Sequence, residues 1–175
     1  MHGTYVFRLV SAALLPALSG CLSAPPLHPP ASGRPELRPE VFFAGRTRGS
    51  GELEERGRAP RAMSVQGFGR VESDGTFRLD QTVTFADGEV RTRTWLMRRV
   101  DAHAYTATLS DAAGEVAAET KGNVFHVRYL MRAPAVFMEQ WLHLQPDGRS
   151  VINFATITVA GVPWARLAEQ INRVD

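Results

Sequence analysis

The residues with the clearest potential for chemistry are one cysteine, Cys21, and histidines at positions 2, 28, 103, 126 and 143. No two of these residues have the spacing of metal ligands. The chain also lacks a G-x-S-x-G motif, a P-loop and a dinucleotide-binding fingerprint. We therefore expect no metal, no cofactor and no enzymatic catalysis.

An apolar run stands before Cys21. Residues 9–18 (LVSAALLPAL) follow Arg8, the one fixed positive charge of the preceding segment. This is the layout of a secretory signal peptide. The run is shorter than the roughly 20 apolar residues of a transmembrane helix, and Pro16 interrupts it. We expect residues 1–20 to be a signal peptide.

The tetrapeptide Leu18-Ser19-Gly20-Cys21 resembles the lipobox of bacterial lipoproteins. The resemblance implies lipidation of the Cys21 sulfur, cleavage between Gly20 and Cys21, and a mature chain with an acylated N-terminus. Several acyl chains together form a durable membrane anchor. The alternative is an ordinary signal peptide with a chance cysteine. A lipidated Cys21 leaves no thiol for a disulfide, so a hydrophobic core must stabilise the domain.

Residues 22–40 contain six prolines and few residues suited to a core. Such a segment favours extended conformations and acts as a semi-rigid spacer. We expect 21–40 to be a lipidated tether and 41–175 to be one domain. Leu22 replaces the aspartate that tends to retain lipoproteins in the inner membrane, which favours the outer membrane with the domain facing the periplasm.

The charge distribution argues against nucleic acid as a partner. The formal net charge is +2, and acids such as Glu52, Glu54 and Glu55 are interspersed with the arginines. We find no basic stripe that could follow a phosphate backbone. These acids near Gly49-Ser50-Gly51 are typical of a solvated loop or a strand edge.

Alternation of apolar and polar residues predicts an all-β domain. In residues 76–85, Phe77, Leu79, Val83 and Phe85 share one face, and Gln81 falls in the same phase. Strands are predicted at 41–47, 62–72, 76–85, 90–99, 104–110, 116–121, 124–131, 137–145 and 151–159. The series indicates an antiparallel sandwich or barrel, and a closed barrel is favoured because it removes exposed edges.

Two further predictions concern the hairpin turn at Asp87-Gly88 and the C-terminal segment. Asp87-Gly88 predicts a two-residue hairpin turn, which would pair Gln81 with Thr94 and place Arg93 and Trp95 on the face opposite Gln81. Residues 162–174 fit a strand or an amphipathic helix. Helical spacing of their apolar residues slightly favours a helix packed on the barrel.

Several motifs occur in an order that resembles the bacterial lipoprotein family of domain of unknown function 3833. They are FFAGRTRG (42–49), GFGRVESDGTFRLDQTVTFADGE (67–89), Arg93 with Trp95, Tyr105, Asp111 with Gly114, Gly122-Asn123, Tyr129, Trp141 and Asn153. The resemblance implies an envelope lipoprotein with a lipocalin-like β-domain, and it supplies no activity. The chain departs from the family pattern at Gln81, where an acid is usual, at Gln140, where a second acid is usual, and at Phe154, where an arginine is frequent.

Seven residues are candidates for ligand binding: Arg93, Trp95, Tyr105, Asp111, Asn123, Tyr129 and Trp141. Strand aromatics usually pack in a core, but at a barrel mouth they could contact an amphiphilic ligand, and an arginine beside a tryptophan suits an anionic head group. Asp111 and Asn123 could instead be turn formers.

The sequence predicts an envelope lipoprotein whose barrel binds a lipid-like ligand, such as a fatty acid or phospholipid, without covalent chemistry. The alternative is an interaction module with a packed interior, which recruits another envelope protein through an exposed patch.

Replacing Cys21 with serine tests the anchor. The Cys21→Ser precursor cannot form the thioether, so a radioactive fatty acid fed to the cells should label the wild type and not the variant. Equal labelling of both chains would refute lipidation at this position.

Overall fold

The computed structural model describes residues 31–114 and 116–174. The predicted signal peptide, the lipobox with Gly20 and Cys21, and residues 22–30 of the predicted tether lie outside the described residues. Within the described part, no helix has the length and apolar character needed to span a membrane.

One short helix and ten strands form the described chain. The helix α1 covers Pro39–Phe42, and its proline stands in the first turn, where a missing N–H costs no hydrogen bond. The strands are β1 Gly45–Glu55, β2 Arg61–Val71, β3 Phe77–Phe85, β4 Val90–Arg99, β5 Ala104–Leu109, β6 Val116–Lys121, β7 Val124–Arg132, β8 Val136–Leu144, β9 Ser150–Val159 and β10 Val162–Arg173.

The ten strands close into an antiparallel up-and-down barrel. Each strand pairs with its neighbours in sequence, and β1 also pairs with β10, so that Gly49 lies between Val65 and Ile171. The prediction of an all-β antiparallel barrel is confirmed. The eight strands predicted between residues 62 and 159 agree with the structure to within one residue at each end. The closed sheet begins with β1 at Gly45 and ends with β10 at Arg173, and each of its strands is paired on both sides.

The helix slightly favoured for residues 162–174 is wrong, and the alternative of a strand is observed as β10. Its apolar residues fit either structure, since Leu167 and Ile171 lie four residues apart and share one face in a helix and in a strand. Closure of the sheet decides between them. Without β10, both β1 and β9 would present an unpaired edge.

The hairpin between β3 and β4 differs from the predicted register by one residue. Gly88, at φ 87°, donates its N–H to the Phe85 carbonyl, and the connecting loop is longer than the predicted two-residue turn. Gln81 consequently lies opposite Arg93 instead of Thr94. Because a shift of one residue reverses the face of every side chain, Arg93 and Trp95 point inward together with Gln81.

The start of the barrel also differs from the prediction. The strand predicted at 41–47 is replaced by the end of α1 and by β1, which begins at Gly45. β1 continues to Glu55 through Gly49-Ser50-Gly51, so Glu52, Glu54 and Glu55 belong to a paired strand and not to a loop.

Residues 32–43 close one end of the barrel, which we call the closed end. Leu37 is fully buried and donates its N–H to the Gly122 carbonyl at 2.9 Å. A Cβ at Gly69 would clash with the carbonyl oxygen of Phe43, so this glycine lets the segment pass. Residues of the predicted tether, including Ser32 and Leu37, therefore contact the barrel, so residues before the predicted start at 41 pack on the domain.

The turns after β1, β3, β5, β7 and β9 meet at the opposite end, which we call the open end. The larger hydrophobic cluster, with Phe43, Trp95 and Leu142, fills the closed half of the barrel. A smaller cluster, with Met63 and Phe85, lines the open half. Polar side chains lie between the two clusters.

Candidate functional site

Five polar side chains point into the middle of the barrel. Each comes from a different strand, at a position where strand alternation directs the side chain inward. Four are buried, and Arg93 is half-buried. We call them the interior polar cluster: Gln81 on β3, Arg93 on β4, Gln140 on β8, Asn153 on β9 and Glu169 on β10.

Gln81 holds two side chains of β4. Its Oε1 accepts hydrogen bonds from Arg93 Nε at 2.8 Å and from Trp95 Nε1 at 3.0 Å. The Arg93 guanidinium lies 5.8 Å from the Trp95 ring centre, within cation–π range. No carboxylate of the described residues forms an ion pair with Arg93. Arg93 is therefore an oriented, half-buried cation without a direct salt bridge to a described carboxylate, and its charge acts on the buried Glu169 of the same cluster.

Asn153 joins the other members of the cluster. Its Nδ2 donates to Gln140 Oε1 and to Glu169 Oε2, both at 3.3 Å. Gln140 Nε2, Asn153 Oδ1 and Glu169 Oε1 are buried without a partner among the described residues. An unpaired buried polar atom costs about 1–3 kcal/mol. The cluster therefore favours a water molecule or a polar ligand group that supplies the missing hydrogen bonds.

Burial raises the pKa of Glu169 above its ordinary value, and the Arg93 charge and the Asn153 hydrogen bond oppose this shift. Two glycines of β1 make room for the side chain. A Cβ at Gly49 would clash with the Glu169 carboxylate, and one at Gly51 would clash with the backbone of β10. Where Glu169 remains protonated, Arg93 carries the only formal charge of the cluster.

Two cavities meet at Arg93. The smaller one, about 30 Å³, lies among the interior polar cluster and has room for about one water molecule. The larger one, about 100 Å³, extends toward the open end. Its walls are mainly apolar and include Leu53, Met63, Phe85, Met131, Met138 and Leu167. The interior thus combines an apolar chamber with a polar, cationic floor.

Four of the seven candidate residues contact this interior. Arg93 lines both cavities, Trp95 lines the smaller one, and the exposed Asp111 lines the larger one. Tyr129 packs edge-on against Trp95 at 5.8 Å between ring centres and donates its hydroxyl hydrogen to Met138 Sδ at 3.0 Å. Burial raises the pKa of Tyr129 to about 12. Tyr129 therefore supports the site from within the core.

The structure places the other three candidates elsewhere. Tyr105, at the closed end, donates its hydroxyl hydrogen to a carboxylate of α1 at 2.9 Å. Asn123 accepts the Ser32 N–H through Oδ1 at 2.7 Å, which holds the N-terminal segment. Trp141 lies on the outer face and stacks on His126 at 3.8 Å between ring centres.

Glu169 is not one of the seven candidates, because a segment that fits either a helix or a strand does not show which of its side chains point inward. In a strand, Glu169 shares the inward face with Leu167 and Ile171, and an acid among apolar inward residues is a signal of a functional or paired group. Gln140 and Asn153 appeared only within the family motifs. Their meeting with Glu169 depends on the pairing of β8, β9 and β10.

Histidines do not contribute to this interior. His143 is buried beside Phe154, His126 lies on the outer face, and His103 lies in the turn between β4 and β5. Among the described residues, no group of three His, Cys, Asp or Glu side chains could hold a metal ion.

A wider groove of about 720 Å³ lies mainly against outward-facing residues of β1 to β4. Its acidic residue, Asp80, is already bound to Arg78 Nε at 2.9 Å and to Thr94 Oγ1 at 2.7 Å. These hydrogen bonds lower the pKa of Asp80, Arg78 having the largest effect. The groove contains none of the buried unpaired atoms found in the interior polar cluster, so the interior is the stronger candidate site.

Comparison with family models gives one match in the sequence. The family of proteins of unknown function DUF3833 matches residues 15–173. No curated protein matches the sequence.

Solved structures share the fold at low sequence identity. An S-type phycobiliprotein lyase, CPES, from Guillardia theta is 10% identical, with a TM-score of 0.63 over 82% of this chain and 95% of its own. A protein with unknown function from the DUF3598 family of Nostoc punctiforme is 16% identical, with a TM-score of 0.61 over 81% of this chain and 51% of its own. The chain therefore spans about half of the second protein. These similarities confirm the lipocalin-like barrel and concern the fold alone.

Glu169→Gln tests the buried carboxyl group through the pH dependence of stability. The folded state holds the Glu169 proton more tightly than the unfolded state, so the free energy of unfolding should fall as pH rises above about 4.5 toward the raised pKa. Glutamine does not titrate. Urea unfolding at several pH values should show E169Q gaining stability relative to the wild type across this range.

Glu52→Gln, on the exposed face of β1, is the control and should retain the wild-type pH dependence. Parallel pH profiles for E169Q and the wild type would contradict the assignment.

Proposed function

This chain belongs to the DUF3833 family of proteins of unknown function, and we propose that its barrel reversibly binds a small anionic amphiphile, such as a fatty acid. The observation that carries the proposal is the position of Arg93. It lies where an apolar chamber meets a buried polar floor, without a carboxylate partner among the described residues.

Arg93 provides the recognition of the anionic head group. Its Nε is occupied by Gln81, and the guanidinium has further N–H donors arranged to match a carboxylate. Gln140 Nε2 is a further donor on the same floor. A carboxylate at this floor would neutralise Arg93 and satisfy the amide, while the apolar part of the ligand would contact the chamber walls.

The size of the chamber restricts the ligand. About 100 Å³ is well below the roughly 300–1,000 Å³ of sites for drug-sized molecules. A diacyl phospholipid exceeds this space, whereas the head group and first part of one acyl chain suit it. Met63, Met131 and Met138 contribute flexible side chains to the walls, which can adapt to chains of different length. Binding requires burial and charge pairing and no covalent step.

We further propose that Cys21 anchors the protein to a membrane of the bacterial envelope, with the outer membrane favoured. The sequence around Gly20 and Cys21 supports this proposal. The chain enters the barrel at the closed end, where Ser32 contacts Asn123. An anchor attached through this segment leaves the open end accessible to a ligand.

One observation favours the alternative, an interaction module without a ligand. Trp95, Tyr105 and Tyr129, the aromatics considered for a ligand chamber, are buried in the core. The closed half of the barrel is therefore filled by its own side chains. Ligand binding in this structure depends on the open half alone.

Arg93→Gln tests the proposed function in a barrel of residues 31–175. Calorimetry should show that the wild type binds octanoate more tightly than octanol, because only octanoate pairs with Arg93. Loss of a charge-assisted hydrogen bond should weaken octanoate binding of R93Q by about tenfold or more and leave octanol binding unchanged.

Arg98→Gln, on the outer face of the same strand, is the matched control and should bind octanoate like the wild type. Unchanged octanoate affinity in R93Q would refute the role of Arg93. Absence of octanoate binding to the wild-type barrel would favour the interaction module.

A further inference from the structure

The hairpin between β9 and β10 presents an apolar surface at the open end. Residues 159–164 (VAGVPW) are all exposed and contain no polar side chain. The exposed fractions are 36% for Val159, 50% for Val162 and 44% for Trp164. We call residues 159–164 the apolar tip.

The backbone of the apolar tip is unusual for its sequence. Ala160 has φ 49° and Gly161 has φ 80°, the left-handed conformation at both central residues of a two-residue hairpin turn. Glycine, which lacks a Cβ, or asparagine or aspartate, whose short polar side chains can hydrogen-bond locally, normally occupies the first of these positions. The tip therefore has an apolar alanine at a position that usually carries glycine or a polar residue.

Two neighbouring turns extend this surface and give it a positive charge. Arg56 N–H donates to the Trp164 carbonyl, and Ala160 N–H donates to the Ala135 carbonyl, both at 2.9 Å. The segments 56–60 (RGRAP) and 132–135 (RAPA) contain arginines and no acid, and Arg58 is paired with the adjoining Glu55 at 3.4 Å. The remaining turns of the open end, which include Asp87, Glu89 and Asp111, are acidic. The open end is therefore basic and apolar on one side only.

We propose that the apolar tip, with Arg56 and Arg132 beside it, docks the open end on a bilayer that contains anionic lipids. Tryptophan and valine can enter the interfacial region, where tryptophan is enriched. The arginines match the charge of the lipid phosphates, which adds an electrostatic attraction near the surface.

The docking surface continues into the mouth of the chamber. Ile157 and Leu167 line the cavity and lie close in sequence to the two ends of the tip. A docked barrel would therefore hold its mouth at the lipid surface. This surface lies at the end opposite Ser32, so it is distinct from the anchor proposed at Cys21, and it does not depend on which ligand the chamber holds.

Vesicle flotation of the barrel, residues 31–175, tests this proposal. The wild type should float with vesicles of phosphatidylethanolamine and phosphatidylglycerol and bind more weakly to vesicles of phosphatidylcholine alone. The exposed pair Val162→Glu and Trp164→Glu should reduce binding to the anionic vesicles by about tenfold or more. Arg56→Gln with Arg132→Gln should remove the preference for anionic vesicles.

The control is Val71→Glu with Val100→Glu, which makes a similar change at the closed end, where these valines are 64% and 63% exposed. This control should float like the wild type. Equal flotation of V162E/W164E and the wild type, or an equal loss in the control, would overturn the proposal. A wild-type dimer that V162E/W164E converts to a monomer, without vesicle binding, would overturn it in favour of self-association.

Octanoate affinity separates this proposal from the proposed function. V162E/W164E should bind octanoate with the wild-type affinity while its vesicle binding falls. Loss of both activities in this variant would show that the substitutions disturb the barrel. The single variant V162E would then decide, and the docking proposal stands only if V162E loses vesicle binding and retains octanoate binding.

Discussion

Pairing of β1 with β10 is the constraint on which the rest of this structure depends. It closes the sheet, removes both edges and defines an inside, so that strand alternation separates a core from a surface. Closure also turns residues 162–173 into a strand and thereby directs Glu169 inward. Within the interior polar cluster, the Gln81–Arg93 contact follows from the pairing of β3 with β4, and the contacts of Asn153 follow from the pairing of β8, β9 and β10. Closure of the barrel encloses both groups of side chains in one interior.

The buried polar side chains of the interior lower the stability of the barrel, whereas closure of the sheet raises it. An apolar residue at the position of Glu169 or Asn153 would avoid buried polar atoms without partners. The chain instead accommodates Glu169 with Gly49 and Gly51, and it orients Arg93 through Gln81. Burial favours the neutral form of Glu169, while Arg93 stays charged at the floor of an apolar chamber. Apolar side chains fill the closed half of the barrel, and the open half keeps a cavity beside Arg93.

Alternation predicted eight strands and the inward position of Gln81, because a period of two can be read directly from side chains. The β3–β4 register was wrong because alternation does not reveal how many residues the loop at Gly88 uses, and one residue moved Arg93 and Trp95 to the other face. The C-terminal strand and Glu169 depend on closure, which is a long-range property. The contact of Asn123 with Ser32 joins residues 91 positions apart, and no local pattern indicates it.

Native mass spectrometry of residues 31–175, purified from a bacterial periplasm without detergent, tests the central claim that the open half of the barrel holds an anionic amphiphile. The account predicts one discrete added mass, identified after extraction as a fatty acid or similar single-chain anion, and its loss in R93Q. Bare wild-type protein that remains bare after incubation with octanoate and with envelope lipids would contradict the account.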